Sequence, residues 1–80
     1  MKNIRSKTVV AVSGGFDPPH RGHIEYFLAA KRLGDLLVVL VDSDAFVATK
    51  HKVLMKQEDR AAVIRELRFV DMVLLSSELD

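Results

Sequence analysis

The sequence predicts an α/β fold: a Rossmann-like parallel sheet laid down as β-α-β-α-β, one half of a doubly wound domain. Three observations predict it. Thr8 to Val12 and Leu36 to Val41 are continuous apolar runs with no polar side, as strands inside a parallel sheet read. Arg21 to Leu33 and Gln57 to Arg68 carry apolar residues at helical spacing. Met72 to Leu75 is a third short apolar run that completes the alternation.

The first strand, Thr8 to Val12, is β-branched on both faces and is expected at the centre of a sheet. The first helix starts at Arg21 or Gly22 and runs to Leu33, with Ile24, Tyr26, Phe27, Leu28 and Ala30 apolar and Arg21, Glu25 and Arg32 as its polar stripe. Gly34 stands where a left-handed C′ glycine belongs. After the second strand, Asp42, Ser43 and Asp44 are expected to cap a helical turn around Ala45 to Ala48, and Thr49 to Lys52 reads as an exposed loop. The second long helix is acidic at its start through Glu58 and Asp59, with Val63, Ile64 and Leu67 as its buried face and Arg60 in line with them. A polar tail, Ser76 to Asp80, follows the third strand.

Composition narrows the function. With 12 Lys and Arg against 11 Asp and Glu, the net charge of +1 gives no broad basic surface, so no nucleic-acid partner is expected. The absence of cysteine excludes disulfides, zinc-thiolate sites and a thiol nucleophile, and fits a reducing cytoplasm. The run from Val9 to Val12 is too short for a signal-peptide core, and no apolar stretch spans a bilayer, so no membrane partner is expected.

The 80 residues read as one domain. Right-handed crossovers that move the sheet one way put both long helices on the same face. Strands apolar on both sides cannot leave the other face in water, so a C-terminal half or a partner chain, a homodimer being the simplest, is expected to cover it.

The chemistry concentrates between Ser13 and His23. A strand runs into Gly14-Gly15-Phe16-Asp17, a diproline, and His20-Arg21-Gly22-His23 at a helix start. Residues there can take positive φ or lie close to a ligand, imidazoles can donate hydrogen bonds, and a helix N-terminus attracts anions. That combination suits the phosphates of a nucleotide. A dinucleotide fingerprint is a weak match, because G-x-G-x-x-G is absent, the glycines are adjacent and Asp17 would face the pyrophosphate. The S-G-G-x-D-S loop of ATP pyrophosphatases is matched only to Asp17, after which Pro18 lacks the needed N–H. The pattern G-x-F-D-x-x-H-x-G-H uses every residue.

On that pattern the chain resembles the cytidylyltransferase-like nucleotidyltransferases, which include glycerol-3-phosphate cytidylyltransferase and heptose-phosphate adenylyltransferases. The resemblance continues through Leu33-Gly34-Asp35, Val41 to Asp44, Lys50-x-Lys52, Glu58-Asp59-Arg60 and Leu67 to Asp71. The family's later Arg-Thr and Ile-Ser-Thr-Thr-like segment has no counterpart here, so the chain corresponds to the N-terminal half of the doubly wound nucleotidyltransferase domain.

The resemblance implies transfer of a CMP or AMP group from a nucleoside triphosphate to a small phosphorylated acceptor, with pyrophosphate released. His20, His23 and Lys50 would be catalytic. Gly14, Gly15, Phe16, Asp17, Gly22 and Lys52 would join His20 and His23 in holding the nucleotide. Mg²⁺ is implied by the triphosphate, with no protein ligands assigned to it. For Asp17 the alternative is a loop brace, for Arg60 and Arg68 a structural ion pair, and for Asp42 and Asp44 helix capping. His51 reads as a solvated loop residue. The competing function is a non-catalytic nucleotide-binding or dimerising module that lacks the C-terminal catalytic half.

Overall fold

A computed structural model describes residues 7–79; the basic stretch up to Ser6 and the terminal Asp80 lie outside the described residues. The chain runs β1 (Val9–Gly14), α1 (Arg21–Lys31), β2 (Leu36–Val41), α2 (Asp44–Ala48), α3 (Gln57–Arg65) and β3 (Met72–Leu75), ending in a 3₁₀ turn over Ser76–Leu79. The strands are parallel in the order β1-β2-β3. The expected α/β fold is the one observed.

The alternating burial of β2 shows how the sheet is covered. Leu37, Val39 and Val41 are fully buried and share one core with Val12 and Val73 of the flanking strands, Phe27 and Ala30 of α1, and Ala61 and Ile64 of α3. Both long helices therefore lie on one face, as right-handed crossovers require. The opposite face carries Val9, Ala11, Leu36, Val38, Leu40, Met72 and Leu74 in register across the strands. Of these, Val9 is 57% and Met72 53% exposed. An uncovered apolar face is thus a property of the described residues.

Several local expectations are corrected. β2, not β1, is the central strand, because both crossovers step the same way and leave β1 with a single neighbour among the described strands. β1 extends to Gly14, which pairs with Val41, so this glycine belongs to the ladder. α1 stops at Lys31 and α3 at Arg65, each earlier than its apolar pattern. Their last turns tighten instead, with Leu33 N bonding Ala30 O and Leu67 N bonding Ile64 O. No described glycine has positive φ. Gly34 serves close approach instead: a Cβ there would sit 2.9 Å from Thr8 O and 2.8 Å from Val10 Cγ2 at the start of β1.

Caps differ as well. Ser43 caps α2, its Oγ accepting from Phe46 N at 3.1 Å. Asp44 Oδ1 accepts from Gln57 N, the first residue of α3, whose own N-cap Lys56 makes no side-chain bond. Asp44 therefore caps the next helix from a distance. Val63 is 46% exposed, and the buried face of α3 is Arg60, Ala61 and Ile64. No described helix is long and apolar enough to cross a membrane.

Candidate functional site at the carboxyl ends of the strands

Parallel strands bring their C-terminal ends together, and open α/β sheets bind ligands there. A cavity of about 290 Å³ lies beyond the ends of β1 and β2. The loop after β1 contributes Gly15, Phe16, Asp17 and Pro18, the start of α1 His20 and His23, and the end of β2 Asp42. Phe46 and Val47 of α2, with Lys50 and His51 of the loop that follows, close the other side. All three histidines of the chain border this cavity.

Phe16 sets the loop. It has φ 52, the one positive φ among described non-glycine residues, a conformation costing about 1–2 kcal/mol. Its ring is 7% exposed and meets Phe27 and His23 edge-on, each at 5.0 Å between centroids. Burial of a phenyl ring is worth about 2 kcal/mol, enough to offset the backbone. Gly14 makes room: a Cβ there would fall 2.8 Å from the Phe16 ring. The expected site residue Gly14 is thus a packing position behind the cavity, outside its lining.

His20 and His23 form a reciprocal box at the start of α1. His20 is the N-cap, its Nδ1 accepting from Gly22 N at 3.0 Å, while His23 Nδ1 accepts from His20 N at 3.1 Å. A nitrogen that accepts has no hydrogen, so each neutral ring carries its proton on Nε2. The rings stack at 3.8 Å. Burial, and then the neighbouring His20, push the pKa of His23 down, which favours the neutral donor form. Gly22 lies outside the lining and permits this packing, since a Cβ would stand 2.8 Å from His20 Cε1.

Asp17 borders the cavity with both oxygens engaged: Oδ2 accepts from Leu54 N at 2.8 Å and Oδ1 from Met55 N at 2.6 Å. Burial acts to raise its pKa, but those two N–H groups and the charges of Arg60 and His51 outweigh it and hold it below the usual carboxylate value. The carboxylate fastens the loop after β1 to the segment before α3.

Arg60 fastens the rest. It is fully buried and donates to Met55 O, Gly15 O, Asp42 O and Asp44 Oδ1 at 2.9, 2.7, 2.8 and 2.7 Å. One guanidinium thus joins the loop after β1, the end of β2, α2 and the approach to α3. Arg68 is exposed and outside the cavity.

Lys50 reaches the cavity with its Nζ 4.7 Å from the centre of the Phe46 ring. Lys52 lies outside the lining, and its carbonyl oxygen meets His51 Nδ1 at 2.8 Å. Sequence reasoning placed Gly15, Phe16, Asp17, His20, His23 and Lys50 here, and missed Pro18, Asp42, Phe46, Val47 and His51, Asp42 having been expected as a helix cap. The available signal was position: Asp42 follows directly on the C-terminal end of β2, and Phe46 and Val47 lie on the short helix after it. Among the described residues no group of three or more His, Cys, Asp or Glu is placed to hold a metal ion.

A family model described as cytidylyltransferase-like matches residues 11–80. Bifunctional protein HldE of Campylobacter concisus is 44% identical over 75 residues, covering 90% of this chain and 16% of that protein. FAD synthase of Ferroglobus placidus is 43% identical over 74 residues, covering 92% of this chain and 48% of that protein. Among solved structures, a lipopolysaccharide core biosynthesis protein from Thermoplasma volcanium superposes with a TM-score of 0.85 at 38% identity, over 94% of this chain and 62% of that one. The chain spans about a sixth of such HldE proteins and about half of such FAD synthases. The glycine-phenylalanine-aspartate loop, the histidine box and the parallel sheet thus sit within a match over nearly the whole sequence: the chain belongs to the cytidylyltransferase-like family.

Proposed function

We propose that this chain carries the nucleotide-binding portion of a nucleotidyltransferase that moves a CMP or AMP group onto a small phosphorylated acceptor. An acceptor phosphate oxygen attacks the α-phosphorus of the triphosphate in line, the bond to the bridging oxygen of the β-phosphate breaks, and pyrophosphate leaves. Such chemistry needs positioning and charge stabilisation with no covalent enzyme intermediate. The observation that carries the reading is the His20–His23 box at a helix N-terminus, in which backbone N–H groups occupy both Nδ1 atoms, leaving Nε2–H to donate, while both rings line one cavity with Lys50.

Gly15 and Phe16 would offer backbone contacts, and Lys50 would hold the leaving or accepting phosphate. Mg²⁺ would enter with the triphosphate and neutralise its charge; among the described residues no group of three or more His, Cys, Asp or Glu forms a cage for it. The cysteine-free sequence fits work in the cytoplasm.

Titration with CTP, ATP, GTP and UTP in the presence of Mg²⁺ tests the binding and names the base. Where pyrophosphate release is measurable, His20→Ala and His23→Ala should each lower kcat by about tenfold to a thousandfold. Unchanged turnover in both would remove the phosphate-stabilising role.

A second reading is favoured by the uncovered sheet face. In it the chain is a nucleotide-binding module that pairs through that face and does no chemistry. Nucleotide binding without pyrophosphate release would select it.

A further inference from the structure

The three imidazoles around the cavity are of two kinds, and their hydrogen bonds sort them. A backbone N–H can only donate, so the Nδ1 atoms of His20 and His23 must accept, and both neutral rings donate from Nε2. A carbonyl oxygen can only accept. Nδ1 of His51, 2.8 Å from Lys52 O, therefore carries a hydrogen, and the neutral ring has a bare lone pair on Nε2. That lone pair repels a phosphate oxygen. While the bond to Lys52 O holds, only the imidazolium of His51 can donate from that atom.

We propose that His51 is a proton-linked phosphate contact: it engages a polyphosphate in this cavity by taking up a proton on Nε2. The inference rests on the nucleotide reading above and deepens it. Charge points the same way. His51 shares the cavity lining with Asp17 of the loop after β1, Asp42 at the end of β2, His20 and His23 at the start of α1, and Lys50 of its own loop, where Lys52 follows it in sequence. Asp17 is within reach of the charges of both His51 and Arg60 of α3. With neutral rings the lining itself carries Asp17 and Asp42 against Lys50, and the nearby guanidinium of Arg60 is buried and engaged by Asp44, so the lining offers a polyanion little net attraction. A proton on His51 restores the balance and leaves its bond to Lys52 intact. Protonating Nδ1 of His20 or His23 would instead break a bond at the start of α1.

Calorimetric titration of the protein with CTP and with ATP, in two buffers of different ionisation enthalpy, reads the protons exchanged. Wild type should take up more protons than His51→Gln, by up to about one per site, and its affinity should fall more steeply with rising pH, by up to about tenfold per unit. Equal uptake and parallel pH profiles in the two proteins overturn the proposal while leaving the nucleotide reading standing. No binding of either nucleotide to either protein overturns the nucleotide reading, and this inference with it. Nitrogen NMR of the free protein is an independent arm. A neutral His51 with its hydrogen on Nδ1 supports the proposal, and an Nε2–H ring overturns it whatever the titrations show.

Discussion

Nη1 of Arg60 donates to the carbonyl oxygen of Gly15 at 2.7 Å, across 45 positions of sequence. The same atom bonds Asp42 O at 2.8 Å, so the guanidinium holds the ends of two neighbouring strands at a fixed separation. Gly15 precedes the left-handed Phe16, whose ring packs against His23. The histidine box is therefore braced from α3 through the loop after β1.

Replacing this residue should be costly. Arg60→Met leaves three carbonyl oxygens and one Asp44 carboxylate oxygen without their buried donor, and a loss on the order of 3 kcal/mol is expected. Urea unfolding measures it. A change below about 1 kcal/mol would mean that the loops hold their positions without the brace.

The two lysines of the loop after α2 should separate. Lys50 borders the cavity and Lys52 does not, so Lys50→Ala should weaken triphosphate binding about tenfold, as loss of a charged contact does, and Lys52→Ala should have little effect. Titration of both variants decides it. Equal losses would show that the loop moves to bring Lys52 onto the ligand.

Acid should release the strap between α1 and β3. Asp71 Oδ2 accepts from Lys31 Nζ at 2.6 Å and from Leu37 N at 2.7 Å, and the Lys31 bond, followed by the Leu37 N–H, holds its pKa below the ordinary carboxylate value against the effect of burial. A carboxyl whose pKa is lower folded than unfolded adds stability that is complete above the unfolded value of about 3.9 and disappears as pH falls through the folded one. Asp71→Asn should therefore be less stable than wild type at neutral pH, with the difference shrinking below about pH 4. Stability curves that stay parallel down to acid would remove this linkage.

The open face of the sheet should be adhesive. With Val9 and Met72 more than half exposed beside Leu36, Val38 and Leu40, the protein should self-associate at micromolar concentration or bind a hydrophobic dye. Val38→Glu, at the middle of that face, should suppress both. Sedimentation velocity with dye binding is the measurement, and a compact, dye-silent monomer of wild type would refute it.

Much of this molecule was legible in its residues because the signals are local. Continuous apolar runs marked the three strands, with Leu36–Val41 and Met72–Leu75 at their observed bounds, and helical spacing marked the two long helices. The His-x-Gly-His turn named the candidate site. Right-handed crossovers then required two helices on one face, and the structure has them there.

Other features depended on which distant residues the crossovers bring together. Asp17 is a brace because Leu54 and Met55 present their N–H groups to it, and Arg60 is a hub because four segments converge on one buried guanidinium. Gly14 read as a nucleotide contact and Gly34 as a left-handed helix cap, but a phenyl ring and a strand start lie against them. His51 read as a loop residue until the fold set it on the same cavity as His20 and His23. Spacing along a chain records the period of a helix or strand, whereas a hydrogen bond between residues some forty positions apart exists only once the sheet has set their separation.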